Sequence, residues 1–220
     1  MANSGTFQGT GEAAFGQNFS LATARVDFKL NDFDFNYPPG LSSLSEARLA
    51  LTKEKSGWLL SGDFSLLSAS YREDFYPSTQ GLKMAFTRVS PVGTEFPPFL
   101  YDLALNVNLR TIEDIIIKNN LADLELRANL NVRGTIPAPI LTGRLENSYS
   151  GEIIVGDRKY TAERLRVDFL GRENLEPNLD ILLKSTVYDQ EEEVEVSLVL
   201  TGTPSDLNFS LTSVPTRSQE

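Results

Sequence analysis

The chain has 220 residues, with 30 Asp plus Glu against 20 Lys plus Arg, a net charge of −10, and neither histidine nor cysteine. Without them there is no His-based or thiolate catalysis, and zinc, copper, haem and iron–sulfur sites lose their usual ligands. The acidic balance argues against nucleic-acid binding, and 40% hydrophobic residues suffice for a core and are too many for disorder.

Taken in chain order, no basic segment followed by an apolar run opens the sequence, so no export signal is expected, and Met1-Ala2-Asn3-Ser4 reads as an added start. Gly9-Thr10-Gly11 lacks the rest of a dinucleotide fingerprint. Val26, Phe28 and Leu30 alternate with polar residues, then the phase slips to Phe33 and Phe35, which predicts a bulge or tight turn through Asn31-Asp32. Ser43 with Glu46, and Thr111 with Asp114, have the spacing of a helix capping box. Their flanks are extended and Ile115-Ile116-Ile117 is β-branched, so both segments are predicted strands. Turns are marked at Pro38-Pro39-Gly40, Lys55-Ser56-Gly57, Pro97-Pro98, Pro137-Ala138-Pro139, Asn174 to Pro177 and Thr203-Pro204. Trp58, Phe96, Phe99 and Tyr101 read as aromatics packing a turn rather than a sugar platform. The carboxylate pairs Asp32/Asp34 and Glu73/Asp74 have no cleft signature around them.

The second half alternates with period two. Tyr101, Leu103, Leu105, Val107 and Leu109 fall on one face of a strand, as do Ala122, Leu124, Leu126, Ala128, Leu130 and Val132, with Asp123 to Arg133 on the other. The pattern returns at Leu165, Val167 and Phe169, at Leu179, Ile181 and Leu183, at Val194, Val196, Leu198 and Leu200, and at Leu207, Phe209 and Leu211. The Glu191-Glu192-Glu193 run beside Asp189 reads as a solvated turn rather than a cation site. Three Leu-Ser/Thr-Gly triplets, ending at Gly62, Gly143 and Gly202, form a loose repeat. Together these features predict an all-β protein of a dozen or more strands, an elongated, mostly antiparallel meander. A break near Pro91 to Pro98 separates residues 1–95 from 96–220, as two stretches of one continuous sheet. For a generic all-β chain, a repeated apolar face is the core of a sandwich.

An ordered string of residues points further. Gly134-Thr135, Pro139 to Leu145, Gly151-Glu152-Ile153, Gly156, Tyr160, Leu165 to Gly171, Pro177 to Ile181, Leu200 to Pro204 and Leu211 to Pro215 occur with consistent spacing. Over residues 100–215 the chain resembles the C-terminal domain of the TamB family, the translocation and assembly module proteins of diderm bacteria. The earlier part is similar more loosely, as groove repeats upstream of that domain. The family continues beyond the Ser213-Val214-Pro215 segment into a leucine-rich stretch, so this sequence reads as a fragment of a longer protein. The resemblance implies a curved half-pipe of strands (a "β-taco") with an apolar concave face and no enzymatic activity or cofactor. It implies a periplasmic module of an inner-membrane-anchored protein that works with a TamA-like outer-membrane barrel. On this reading phospholipid acyl chains lie against Leu124, Leu126, Leu130, Val132, Leu165, Val167, Phe169, Leu179, Ile181, Val194, Val196, Leu198, Leu207 and Phe209. The alternative is a protein-assembly module that templates nascent outer-membrane strands along an open sheet edge.

Overall fold

In the computed structural model, residues 5–34, 36, 40–54, 57–74, 98–172, 175–189 and 192–215 are described. Thirteen strands form a single mixed, mostly antiparallel sheet. They are β1 (Thr6–Phe15), β2 (Leu21–Asp34), β3 (Leu41–Glu54), β4 (Gly57–Tyr71), β5 (Leu103–Thr111), β6 (Ile115–Lys118) and β7 (Ala122–Thr135). There follow β8 (Pro139–Asn147), β9 (Gly151–Val155), β10 (Arg158–Leu170), β11 (Asn178–Asp189), β12 (Glu192–Thr203) and β13 (Asp206–Val214). Among the described residues the helical content is a 3-10 turn at Gln17–Phe19 and a single turn at Pro98–Tyr101. Both segments with capping-box spacing are extended: Ser43 and Glu46 lie within β3, Thr111 ends β5, and Asp114 directly precedes β6.

The order across the sheet is β1-β2-β3-β4-β5-β7-β8-β10-β11-β12-β13. β6 and β9 lie off this path because each continues a neighbouring lane. β5 pairs with β4 over Trp58 to Leu66, and β6 takes over from Ala69 to Tyr71. In the same way β8 and β9 share the space between β7 and β10. The sheet is therefore eleven lanes wide, two of them built from two short strands each.

One feature departs from the predicted meander. β4 runs parallel to β5 and β6. A parallel neighbour cannot be reached by a tight hairpin and needs a crossover of about a dozen residues or more. The connection over residues 72–102 is long enough to be one. The Pro91–Pro98 break predicted from sequence lies in that connection, almost wholly outside the described residues.

Single extra residues interrupt the ladders at four places. The slip predicted near Asn31-Asp32 is a bulge between Leu30 and Phe33, with Asp32 at φ +52°. Others fall at Ala22 in β2, Leu67 in β4 and Glu163 in β10. Asn147 holds the last one in shape. Its Nδ2 donates to the Ala162 carbonyl (3.0 Å) and its Oδ1 accepts from the Leu165 amide (2.8 Å), the two backbone groups on either side of the bulge. Two of the repeat glycines also have a backbone task. At Gly62 (φ +135°) and Gly143 (φ +119°) a Cβ would collide with the Arg48 and Asn129 carbonyl oxygens of the facing strand. Only glycine reaches that conformation and that close approach without strain.

Candidate functional site: one apolar face across the sheet

Paired residues on neighbouring strands point to the same side of a sheet, so the register assigns every side chain to a face. Starting from β2, Phe28 pairs with Leu49, Leu49 with Gly62, Gly62 with Val107, Val107 with Val132 and Val132 with Leu141. The next row runs Leu30, Ala47, Phe64, Leu109, Leu130, Gly143 and Phe169. A third runs Ala128, Leu145, Val167, Leu179, Gly202 and Leu207. Beyond it stand Leu165, Ile181, Leu200 and Phe209, then Ala162, Leu183, Leu198 and Leu211. Ile115 with Leu126, and Ile117 with Leu124, extend the same face through β6. Val196, and Val187 with Val194, complete it at one rim.

The fourteen groove residues expected from sequence therefore stand on one side of the sheet, in rows that run across the strands. The bulges make this possible: each absorbs an odd residue, so that the alternation resumes on the same side. The sequence-based set was too short. Phe28, Leu30, Leu49, Leu51, Leu60, Phe64, Leu66, Leu103, Leu105, Val107, Leu109, Ile115 and Ile117 belong to this face as well. Their period-two pattern was the signal that could have included them. Tyr101, which continues that pattern on paper, sits in the helical turn and is exposed.

Burial along the face is uneven. Leu124, Leu126, Ala162, Leu165 and Leu183 form a buried cluster, and Ile115, Ile117, Ala122, Leu145, Ile153, Tyr160, Val167, Ile181, Leu198 and Leu200 pack against it. All of these belong to the same face, so in its middle the face is covered by its own side chains. Val194 is also buried. Leu130, Val132, Val167, Phe169, Leu179, Ile181, Val196 and Leu198 are partly exposed. At the ends the face opens: Phe209 is 77% exposed and Phe7 63%, against 5% for Leu126. At one border Lys53 stands on this side with its Nζ 5.4 Å from the Trp58 ring centre, an ammonium held over an aromatic face.

The opposite face is polar. Asn131 Nδ2 donates to Asn108 Oδ1 (2.9 Å) and Asn108 Nδ2 donates to Asp63 Oδ1 (3.0 Å), tying β7, β5 and β4 together over the parallel junction. Across β8, β10 and β11 the Arg144–Asp168 pair (2.6 Å) and the Arg164–Asp180 pair (2.9 Å) alternate with Glu146. The hydrogen bond to Asp168 holds Arg144 above its usual pKa, and Glu195 does the same for Lys184. Such exposed pairs contribute little stability each. The described residues include no cluster of acids or other ligands able to hold a metal ion. Of the acidic run at residues 189–193, the backbone of Asp189 pairs with Glu192 where β11 and β12 meet.

The model of the TamB C-terminal domain matches residues 1–220, the whole chain. The protein belongs to the TamB family. Among curated proteins none matches it. The family match reaches well upstream of residue 100, consistent with a single sheet that runs unbroken from β1 to β13. As a TamB domain it has a general role in outer-membrane assembly and transport, within a family of non-enzymatic components of the cell envelope. No helix among its described residues is long and apolar enough to cross a membrane.

Proposed function

We propose that this TamB domain is a lipid-bearing segment of a bridge between the inner and outer membranes, with phospholipid acyl chains lying against its apolar face. The observation that carries the reading is that face itself: rows of aliphatic and aromatic side chains, interrupted at Gly62, Gly143 and Gly202, cross the strands, buried in the middle and exposed at the ends. Because the sheet has no second layer among the described residues, the burial of Leu124 and Leu126 by side chains of their own face supports a sheet curled into a half-pipe. Each buried CH₂ is worth about 0.8 kcal/mol without any directional contact, so a chain of a dozen carbons is held firmly yet can slide. Headgroups would project from the open border, where Lys53 and Trp58 supply a cationic and an amphipathic contact. The whole protein would be anchored in the inner membrane and would meet a TamA-like barrel at the outer membrane.

Lipid extraction after mild purification, followed by mass spectrometry, tests this. Photo-crosslinking probes at Val132 and Phe209 should capture lipid, whereas probes at Arg133 and Asn208, which face the polar side, should not. Leu126 is too deeply buried to report on a ligand. Equal labelling on the two faces, or a lipid-free protein, would rule the reading out. One observation favours a second reading, strand templating. All ten residues of β1 are exposed, its outer edge is unpaired among the described residues, and Glu12 is its one charge. That reading predicts binding of a strand-forming peptide that is lost when an outward-facing N–H of β1 is replaced by proline and kept when Leu130 and Val132 become polar.

A further inference from the structure

The polar face of β1 to β4 carries a depression of about 470 Å³. Its floor is a row of short side chains set directly across from one another: Thr10, Asp27, Ala50 and Ser61. Long basic side chains rise on both sides, Arg25 on one, Lys29 and Arg48 on the other. The acid in the floor is already used. Arg25 Nη2 and Nε donate to the two Asp27 carboxylate oxygens at 2.7 and 2.9 Å. Lys29 and Arg48 are different. They are directly paired across β2 and β3, which puts two like charges about 5 Å apart at Cβ, an arrangement that costs stability. Among the described residues neither has a carboxylate within ion-pair distance. Asp63, the acid opposite Arg48 on β4, accepts from Asn108 Nδ2 instead. The depression therefore presents two uncompensated cations on a chain whose net charge is −10.

From this geometry we infer that the depression is an anion site for a phosphate group, as a free phosphomonoester or as the headgroup of an anionic phospholipid. Two adjacent cations suit a tetrahedral anion that can accept from both at once. The Arg48 guanidinium offers a planar fork to two oxygens and the Lys29 ammonium a point charge beside it. The Thr10 and Ser61 hydroxyls and the Gln8 amide at the margin supply neutral donors. Binding here lies on the opposite side of the sheet from the apolar rows and does not depend on what those rows carry.

Titration calorimetry with inorganic phosphate, and flotation with phosphatidylglycerol vesicles against phosphatidylcholine vesicles, test the site on the intact chain. Binding of phosphate places a small phosphate compound there; binding of phosphatidylglycerol vesicles without free phosphate places a headgroup. Either binding should weaken about tenfold to a hundredfold in the double variant Lys29→Gln, Arg48→Gln. A second variant guards against misfolding. Lys29→Glu turns the like-charge pair into an attractive one, with the neutral Gln8 on its other side, so it should melt no lower than the parent while losing the anion. Lys159→Gln removes a single charge elsewhere on the polar side and should leave binding unchanged. The inference fails if neither probe binds, if the Lys159 variant loses binding equally, or if acetate binds as tightly as phosphate.

Discussion

Leu126 in β7 and Phe209 in β13 stand on the same side of the same sheet, reached from one another by counting paired residues, and both are large and apolar. One is 5% exposed and the other 77%. The difference comes from what surrounds them. β7 has the broken lanes of β6 and β9 beside it and rows of Ile, Leu and Tyr within reach, whereas β13 has a neighbour on one edge alone. A single face thus acts as core in one region and as surface in another, and side-chain type does not say which.

The sharpest way to break this comparison is to truncate both residues. Leu126→Ala should cost about 2–5 kcal/mol, as for any well-packed buried leucine. Phe209→Ala should change urea stability by less than about 0.5 kcal/mol, in line with exposed substitutions. Equal losses would mean that the opening at β13 closes in solution. Next in size is Asn147→Ala, which orphans the Leu165 amide and the Ala162 carbonyl at the β10 bulge. About 1–3 kcal/mol is expected, and amide hydrogen exchange at Leu165 should speed up while that of β13 stays as it was. Gly143→Ala forces a side chain into φ +119° against the Asn129 carbonyl. A melting experiment should show a loss of about 1–3 kcal/mol, placing this glycine in the sealed region's class rather than the open one's. The smallest effect concerns the exposed pair on β2. The hydrogen bond from Arg25 lowers the Asp27 pKa below its ordinary value of 3.8. Its contribution is therefore present above pH 3.8 and is lost as pH falls through the depressed value. A carboxylate-carbon NMR titration should find Asp27 titrating below 3.8, the ordinary aspartate value. A value at or above 3.8 would show the pair to be open in solution.

Alternation made most of the sheet readable in advance. Parity from Leu124 to Phe209 assigned each apolar residue to one side of its own strand, and the pairing then placed those sides together. The slip at Asn31-Asp32 was readable for the same reason, because two hydrophobic phases one residue apart need an extra residue between them. What parity cannot express is which strand lies beside which. The parallel neighbour of β4, and the joining of β5 with β6 and β8 with β9 into shared lanes, depend on contacts between residues far apart in the chain. Asn147 was equally silent: an asparagine at the end of an apolar strand reads as a turn residue, and its task appears only when β10 bulges opposite it. The basic depression went unread because Lys29 and Arg48 become neighbours through a register that spacing alone does not give.

The four bulges have a consequence for how such a chain can change length. In a regular ladder, gaining or losing one residue turns every side chain beyond it to the other face. Ala22, the extra residue of Asn31-Asp32, Leu67 and Glu163 are insertions that the sheet has already absorbed, each with its phase restored within a step or two. They mark the positions where the chain tolerates an odd count. Over the unbroken ladder of β11 with β12, where no such adjustment exists, length can change only in pairs.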